Sequence, residues 1–419
     1  MFARATGLAT VLSAAALALA ACGGGAAASE HTAWAPAPEA PQPPAPRPTG
    51  TPPPVPSAER RLERVDRITG ELTPKSVVAS GSGLVVAQNM IYTHTVSVYD
   101  SDGELLETID DAVRPSAFGF ERWDAKVHGG PVEAAFSPDD RWLWVSNYSM
   151  SGPGFAREGG DTCTPQDQID PSFLYRIDTS TLEVDALALV GAVPKYVETT
   201  PDGRFVLVTN WCDWTLSVVD GQAEGGPKEV ATVPIGRYPR GIAVAPDSTT
   251  AYVAVMGASH VAVVDLSAAV RGAGEEAVVD EIEVGRGPRH LNLSPDGGTL
   301  YATLNHLGTV AKVDVGAGEV VEAVATGEAR RSASLSSDGT ALFVVNYESD
   351  TVSRVRTSDM VVLESVDVDD KPVGVTYDAH RGRIWVASYV GSLTVFDDHG
   401  CRRLPVVDGG ASREVRARG

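Results

Sequence analysis

The feature that most constrains this sequence is a long repeat that begins near residue 75 and continues almost to the end. In each copy an apolar, Val-rich segment leads into a turn such as Pro201-Asp202-Gly203 or Pro295-Asp296-Gly297. A second apolar segment then ends near an Asn, and a third alternates and ends in Asp. In such a turn Pro fixes φ, Asp accepts hydrogen bonds from the following backbone and Gly tolerates positive φ. The pattern predicts antiparallel strands joined by tight turns.

The positions at which the third segments end give the number of repeats. They fall at Asp100, Asp178, Asp220, Asp265, Asp314, Arg356 and Asp397. Neighbouring ends are 41 to 49 residues apart except for the first interval of 78, which we assign to two insertions, 110–129 and 149–172. A weaker fourth segment follows, as at 278–284 and 320–324. The sequence therefore predicts an all-β fold over residues 60–409, a seven-bladed β-propeller of four-stranded antiparallel blades.

One segment outside the repeats is a candidate for the strand that closes the ring of blades. The strand-like stretch 64–68 precedes the first blade, where every other blade is preceded by an outer strand. We expect it to complete the seventh blade, beside 393–396 or beside 404–407, because this pairing would cover an exposed sheet edge.

Two copies follow a still more specific pattern of strand, Asn, loop and Thr-Val-Ser-type strand. They are 207–210 followed by 215–220, and 343–346 followed by 351–353. In this the chain resembles the YVTN-type 40-residue β-propeller repeats over about residues 70–400. The Asn position departs from the pattern at Met256 and Ser388, and Arg356 replaces the final Asp. The resemblance implies the fold and little about chemistry, since propellers host many functions.

The N-terminal segment has the layout of an export signal. Arg4 is followed by an uncharged apolar run from 8 to 21 that is short for a membrane span. The run ends in Leu19-Ala20-Ala21-Cys22, which resembles the bacterial lipobox, whose Cys carries lipid. We predict a lipoprotein signal peptide at 1–21, lipidation of Cys22 and an extracytoplasmic protein anchored to the bacterial cell membrane. The alternative is an ordinary signal peptide that leaves Cys22 as a free thiol.

Residues 22–59 are predicted to be a lipid-anchored, disordered linker. Eleven of the 28 prolines lie between 36 and 56, and almost no aliphatic side chain is present to form a core. A proline-rich ligand for a partner domain is the alternative. Residues 410–419 are predicted to be a disordered tail.

Cations recur at the start of the first strand in six of the seven blades. In a propeller the loop before the first strand and the loop after the second meet at one mouth of the channel, so these side chains are predicted to converge. The candidate ligand-binding residues at the starts of the first strands are Lys75, Lys195, Arg240, Arg289 with His290, Arg330 with Arg331, and Lys371. Aromatic or imidazole side chains follow the second strands, namely Tyr148, Trp211, His306, Tyr347 and Tyr389. Converging cations beside aromatic rings favour an anionic small molecule, envelope polymer or protein partner. Pairing of each cation with an acidic loop is the alternative.

Composition and motifs narrow the function class. A formal net charge of −21 argues against nucleic-acid binding. The sequence contains no nucleophile elbow, phosphate-binding loop or metalloprotease helix. We therefore predict a monomeric, non-enzymatic binding module without cofactor or metal.

The first alternative, by analogy with lactone-hydrolysing propellers, is a hydrolase with Glu133 as base, Arg289 as oxyanion clamp and His290 as acid. The second is haem or quinone binding, although CxxCH is absent and the histidines share no spacing.

The cysteines predict one disulfide. Cys163 lies in the second insertion, 149–172, and Cys212 lies in the equivalent loop of the next blade. Because adjacent blades bring these loops together and export implies an oxidising environment, the two are predicted to pair, which leaves Cys401 unpaired. Both insertions are expected to cap the mouth near the first three blades.

Overall fold

The computed structural model describes residues 55–401. The predicted signal peptide, Cys22 and most of the linker lie outside the described residues. The alternative closing segment 404–407 and the predicted tail 410–419 also lie outside them, and so does the side chain of Cys401.

The described residues form seven four-stranded antiparallel sheets, as the repeat predicts. The first three blades are β2–β5 (Pro74–Ala79, Leu84–Asn89, Thr95–Asp100, Leu105–Asp110), β6–β9 (Pro131–Phe136, Trp142–Asn147, Ser172–Asp178, Glu183–Val190) and β10–β13 (Pro194–Thr199, Phe205–Asn210, Thr215–Asp220, Lys228–Pro234). The next three are β14–β17 (Pro239–Val244, Thr250–Val255, His260–Asp265, Val278–Glu283), β18–β21 (Pro288–Leu293, Thr299–Leu304, Thr309–Asp314, Glu319–Val324) and β22–β25 (Arg330–Leu335, Ala341–Asn346, Thr351–Arg356, Val361–Asp367). The seventh combines β26 (Pro372–Asp378), β27 (Arg383–Ser388) and β28 (Ser392–Cys401) with β1 (Arg60–Thr69). Short helical segments are α1 (Leu266–Val270) and the 3-10 turns Ser57–Glu59, Pro115–Phe118, Pro165–Asp167 and Gly274–Ala277.

The ring closes with β1, the first strand of the described residues, in the first of the two predicted positions. β1 is the outer strand of the seventh blade, and Arg64 pairs with Phe396 while Ile68 pairs with Leu393. Just before β1, Ser57 is fully buried, and its hydroxyl donates to Asp398 Oδ2 at 2.6 Å. Residues far apart in sequence are thus locked together, and β1 covers the edge that β28 would otherwise expose.

The repeated residues have local structural roles. Asn210 donates from Nδ2 to the hydroxyls of Thr215 and Ser217, at 3.0 and 2.8 Å. Asn89 and Asn346 make the same pair of bonds in their own blades. In the preceding turn the Thr200 hydroxyl donates to Asp202, and Gly203 has a φ of 70° that favours glycine. The strand–Asn–Thr-x-Ser pattern is therefore a hairpin lock within each blade.

The core consists of layers between neighbouring blades, filled mainly by Val, Ala and Leu. The first insertion joins the layer between blades 1 and 2, where Trp123 stacks on Phe155 at 5.4 Å and meets Phe173 edge-on at 5.5 Å. Trp123 is buried, and no residue of 110–129 lines the large cavity at the mouth. The expectation that both insertions cap the mouth is therefore wrong for the first one, because its aromatic side chains are drawn into the inter-blade core.

The second insertion does reach the mouth, and the predicted disulfide holds it there. Cys163 and Cys212 are bonded, with their Cα atoms 5.1 Å apart. Both are buried beside Val193 and Trp211. The bond fixes the insertion to the third blade, so that Asp161 is placed over the channel opening.

Candidate functional site

The mouth of the channel holds a cavity of about 800 Å³, which we call the mouth cavity. It is lined by Lys75, Met90, Tyr148, Asp161, Lys195, Trp211, Tyr238, Arg240, Met256, Gly257, Ala258, Ser259, Arg286, Arg289, His306, Arg331 and Tyr389. Six of these residues are Lys or Arg, and Asp161 is the only carboxylate among them. Volumes of roughly 300–1,000 Å³ are typical of small-molecule sites.

The structure brings most of the predicted ring together and leaves some members out. The predicted residues that line the mouth cavity are Lys75, Lys195, Arg240, Arg289, Arg331, Tyr148, Trp211, His306 and Tyr389, whereas His290, Arg330, Lys371 and Tyr347 do not line it. Arg330 lies against Gly308 and donates to the Thr326 hydroxyl at 3.1 Å. Lys371 is half-buried and pairs with Glu348 at 2.6 Å. The prediction that these two cations converge on the cavity is therefore wrong.

Lys195 lies in an aromatic cage capped by the second insertion. Its Nζ is 4.3 Å from the centre of the Tyr148 ring and 5.1 Å from that of Trp211. Asp161 accepts from the same Nζ at 3.1 Å, while the Trp211 indole N–H donates to the Asp161 carbonyl oxygen. Burial lowers the pKa of Lys195 to about 7, and repulsion from Arg240 adds to this effect. Lys195 thus changes charge near neutral pH.

Three further cations of the mouth cavity are about as buried as Lys195. Lys75, Arg240 and Arg289 are each about 6% exposed. Arg240 Nη2 is 3.5 Å from Glu133 Oε1, which gives this guanidinium one carboxylate partner. Burial, followed by repulsion from Arg240, lowers the pKa of Lys75 and of Arg289 well below their ordinary values. Loss of water is the main cause, and repulsion among the clustered cations outweighs the attraction of Glu133.

Arg331 closes one side of the cavity. Its guanidinium lies 4.2 Å from the centre of the Tyr347 ring, so Tyr347 supports the cation from behind. Arg331 Nε is buried without a hydrogen-bond partner among the described residues. Its backbone carbonyl accepts from Arg289 Nε at 3.2 Å. The Arg289 side chain is thereby tied to the neighbouring blade, and the two guanidiniums are close enough for Arg331 to lower the pKa of Arg289 after burial and Arg240 have done so.

The cavity also has an apolar and aromatic wall. Trp211 and Tyr238 are stacked with their centres 4.5 Å apart, and Met90 and Met256 complete this part of the lining. A guanidinium N–H of Arg289 points to Met256 Sδ at 3.8 Å. The mouth cavity therefore combines anion-binding groups with flat, polarizable surfaces.

Below the mouth cavity lies a smaller axial chamber of about 140 Å³. Glu133 and His290 line it, and Arg240 and Arg331 line both spaces. Glu133 and His290 are accessible only in part, on the narrow channel, so burial dominates their chemistry. It raises the pKa of Glu133 and lowers the pKa of His290 to about 3. Arg289, the third member of the hydrolase alternative, lines the mouth cavity instead.

Several cavity residues were missed at the sequence level. Tyr238 immediately precedes Pro239-Arg240, and Arg286 precedes Gly287-Pro288, so both occupy the corner that leads into a first strand. The same corner signal that singled out the cations covers these two residues as well. Asp161 carries no such signal, because the path of a 24-residue insertion is not encoded by the repeat.

Comparisons with known proteins add little to this geometry. No family model matches the sequence, and no curated protein matches it. Among solved structures, the chain is similar to one titled Kuenenia stuttgartiensis Hydrazine Synthase, with 20% sequence identity and a TM-score of 0.45. That match covers 64% of this chain and 95% of the other. The fold assignment rests on the seven sheets themselves.

Within residues 55–401, no helix has the length and apolar character needed to cross a membrane.

Proposed function

We propose that this protein is a non-enzymatic binding module that captures a small, multiply charged anion in the mouth cavity. One observation carries the proposal. Lys75, Arg289 and Arg331 line a cavity of about 800 Å³, and none of them has a carboxylate within ion-pair distance among the described residues. Buried cations are costly unless a counter-charge compensates them, so an anionic ligand would relieve this cost.

The lining favours a particular ligand chemistry. Two adjacent guanidiniums suit carboxylate or phosphate oxygens, which they bind as forks. The Trp211–Tyr238 stack suits a sugar ring or a planar group on the same ligand. We therefore favour an organic acid or phosphorylated compound over a bare inorganic ion.

The hydrolase alternative is less favoured by the geometry. The axial chamber that contains Glu133 and His290 measures about 140 Å³, which is below the roughly 300–1,000 Å³ that is typical of small-molecule sites. The low pKa of His290 keeps the imidazole neutral at physiological pH, so it has no proton to give as a general acid.

The proposed repeat type and cellular location are part of the same proposal. The hairpin lock formed by Asn210, Thr215 and Ser217 supports YVTN-type repeats. The disulfide between Cys163 and Cys212 supports an oxidising, extracytoplasmic location. Lipid attachment at Cys22 is tested by labelling cells with a radioactive fatty acid. Label in the wild-type protein and none in a Cys22→Ser variant is expected, and equal labelling of both contradicts an anchor at this residue.

Anion capture is tested by thermal unfolding with a panel of probes: pyrophosphate, citrate, glucose 6-phosphate and, as neutral control, glucose. We expect at least one anion to raise the melting temperature of the wild-type protein. This shift is expected to disappear in a Lys195→Ala, Arg240→Ala, Arg289→Ala triple variant. A retained shift in the triple variant contradicts the proposed site.

Because the triple variant removes buried side chains, a milder pair of variants keeps the test decisive. Arg331→Gln changes a residue that lines the mouth cavity, whereas Lys371→Gln changes a predicted ring member that does not. We expect Arg331→Gln to weaken the anion-dependent shift and Lys371→Gln to leave it unchanged. Equal effects of the two substitutions mean that general surface charge, not the cavity, binds the anion.

A further inference from the structure

A second cluster of charged and imidazole side chains lies outside the mouth cavity, at the base of the first insertion. Asp110 ends β5, and Asp111 follows it at the start of the insertion. His128 lies at the other end of the insertion, and His94 comes from the loop between β3 and β4. The topology thus brings three separate segments of blades 1 and 2 to one point. Neither the repeat period nor any short motif places these residues together.

Three of these side chains lie close enough together to hold one ion, and His94 joins them through its contact with Asp111. His128 Nδ1 is 3.0 Å from Asp111 Oδ1, and His94 Nδ1 is 3.5 Å from Asp111 Oδ2. Ligand atoms of Asp110, Asp111 and His128 all lie within 4.8 Å of one another. Atoms bound to one ion at about 2.0–2.1 Å in tetrahedral geometry are separated by roughly 3.4 Å, which is close to the two His–Asp distances.

Asp111 provides a second, independent observation. Its side chain is 1% exposed, yet Oδ2 has no hydrogen-bond partner among the described residues. This oxygen lies 3.5 Å from His94 Nδ1, whereas His128 Nδ1 is hydrogen-bonded to Oδ1, and both histidine side chains are about half exposed. A buried carboxylate oxygen without a partner is costly, so the arrangement calls for a cation beside it.

The surroundings hold the cluster in place. The Tyr175 hydroxyl donates to the Asp111 carbonyl oxygen at 2.8 Å. Val113 and Val127 pair through backbone hydrogen bonds at the neck of the insertion, next to Asp111 and His128. The ligand groups are therefore carried on backbone that is already fixed, as a preorganised metal site requires.

We propose that Asp111, His128 and His94, with Asp110 in support, form a binding site for a divalent transition metal of the zinc class. Mixed imidazole and carboxylate ligands suit Zn²⁺ and its neighbours and are poorly suited to Mg²⁺ or Ca²⁺. This proposal is independent of the anion site, because none of the four residues lines the mouth cavity.

A bound metal would also brace the second insertion. His128 exchanges backbone hydrogen bonds with Ser151, at 2.9 and 2.8 Å. Ser151 belongs to the insertion that carries Asp161 to the mouth cavity. The metal would therefore fix the base of both insertions to the first blade.

The test is a titration of the full-length protein, freed of metal by chelation, with Zn²⁺ and separately with Co²⁺. Cys22 and Cys401 are replaced by Ser in all proteins, so that no thiol outside the disulfide competes for metal. We expect saturable calorimetric binding of Zn²⁺ with a stoichiometry near unity, visible Co²⁺ absorption bands and a raised melting temperature. Excess Mg²⁺ should not compete.

Three variants localise the binding. Asp111→Asn keeps the side-chain shape, and His94→Gln changes a half-exposed residue, so both are expected to stay folded, which circular dichroism checks. Each should weaken Zn²⁺ binding by about tenfold or more. The matched control is His260→Gln, since His260 pairs with Glu281 at 3.6 Å in another blade. Absence of saturable binding, or equal loss in the control, overturns the proposal and leaves only His–Asp hydrogen bonds.

Discussion

Buried cations occur in two regions of this propeller, and the two regions differ in whether a carboxylate lies directly beside the cation. At the ring closure Arg354 is fully buried, and it donates to Asp398 Oδ1 at 2.7 Å and to the Ser57 carbonyl oxygen at 3.1 Å. Glu364 adds a second carboxylate at ion-pair distance, with Oε1 3.4 Å from Arg354 Nη2. At the mouth, Lys75 and Arg289 are almost as buried, but neither has a carboxylate partner among the described residues.

The difference separates a structural role from a binding role. Burial lowers the pKa of Arg354 and raises the pKa of Asp398, so for each charge the loss of water outweighs the partner's attraction. Such a pair contributes little net stability, but removing one member leaves the other uncompensated. Lys75 and Arg289 already lack a direct carboxylate partner among the described residues, although Glu133 attracts both from a greater distance. The fold tolerates them there because the cavity admits water and, on our proposal, an anion.

The largest expected effect comes from breaking the compensated region. Asp398→Ala should lower the free energy of unfolding by about 3–5 kcal/mol, because it leaves the Arg354 charge buried with an incomplete set of partners. Denaturant titration followed by fluorescence measures this change. The control is Arg356→Ala, whose ion pair with Asp359 is exposed and screened by water, so this substitution should leave the stability nearly unchanged.

A double variant sharpens this result. Arg354→Met combined with Asp398→Leu removes both charges and should be less destabilised than Asp398→Ala alone. Simple addition of the two single effects would instead mean that the pair is not coupled.

At the mouth the same kind of change should have the opposite sign. Lys75→Met removes an uncompensated buried charge while keeping the side-chain volume, so we expect stability to rise by about 1 kcal/mol. Binding of citrate, measured by calorimetry, should weaken by about tenfold through loss of one charge-assisted hydrogen bond. The control Lys228→Met lies on an exposed outer strand and should change neither quantity. A destabilised Lys75→Met protein would show that Lys75 is compensated after all.

The smallest effect is a pH dependence at Lys195. Below pH 7 this residue is charged in the folded and unfolded states, so the cost of burying the charge is fully present. Between pH 7 and about 10.5 only the unfolded state keeps the proton, so the contribution of Lys195 makes stability rise with pH. Affinity for sulfate, which does not titrate in this range, should fall several-fold as pH rises through 7.

The titration is isolated by difference from a Lys195→Met variant, since Lys75 and Glu133 also have shifted pKa values in the same region. Asp161→Asn removes the carboxylate that favours the charged amine, so it should move the midpoint to lower pH. An unchanged midpoint would indicate that another group titrates.

The sequence predicted where the mouth cavity lies better than it predicted which residues line it. The Pro–cation pairs at the starts of the first strands predicted that Lys75, Lys195, Arg240 and Arg289 surround the cavity, and the structure has them there. Arg330 and Arg331 are neighbours in the chain, yet only Arg331 lines the cavity, because successive side chains of a strand point to opposite sides. A corner motif defines where a strand starts and not which of two adjacent cations faces the axis.

The insertions were the least predictable part. The sequence correctly paired Cys163 with Cys212, since adjacent blades place equivalent loops together. It placed the first insertion over the mouth, whereas Trp123 is buried against Phe173 in the inter-blade core. Packing of large aromatic side chains decided the path, and such packing depends on space that only the assembled blades define.

By itself, the sequence determined the number of blades, the hairpin turns, the closing strand and the disulfide. These features depend on local turn chemistry and on a regular period, both of which are written along the chain. Only the tertiary structure decided which cations remain uncompensated and that His94, Asp111 and His128 meet. The physical reason is that charge compensation and ligand geometry depend on distances between segments remote in sequence, and the insertions that set those distances follow no repeat.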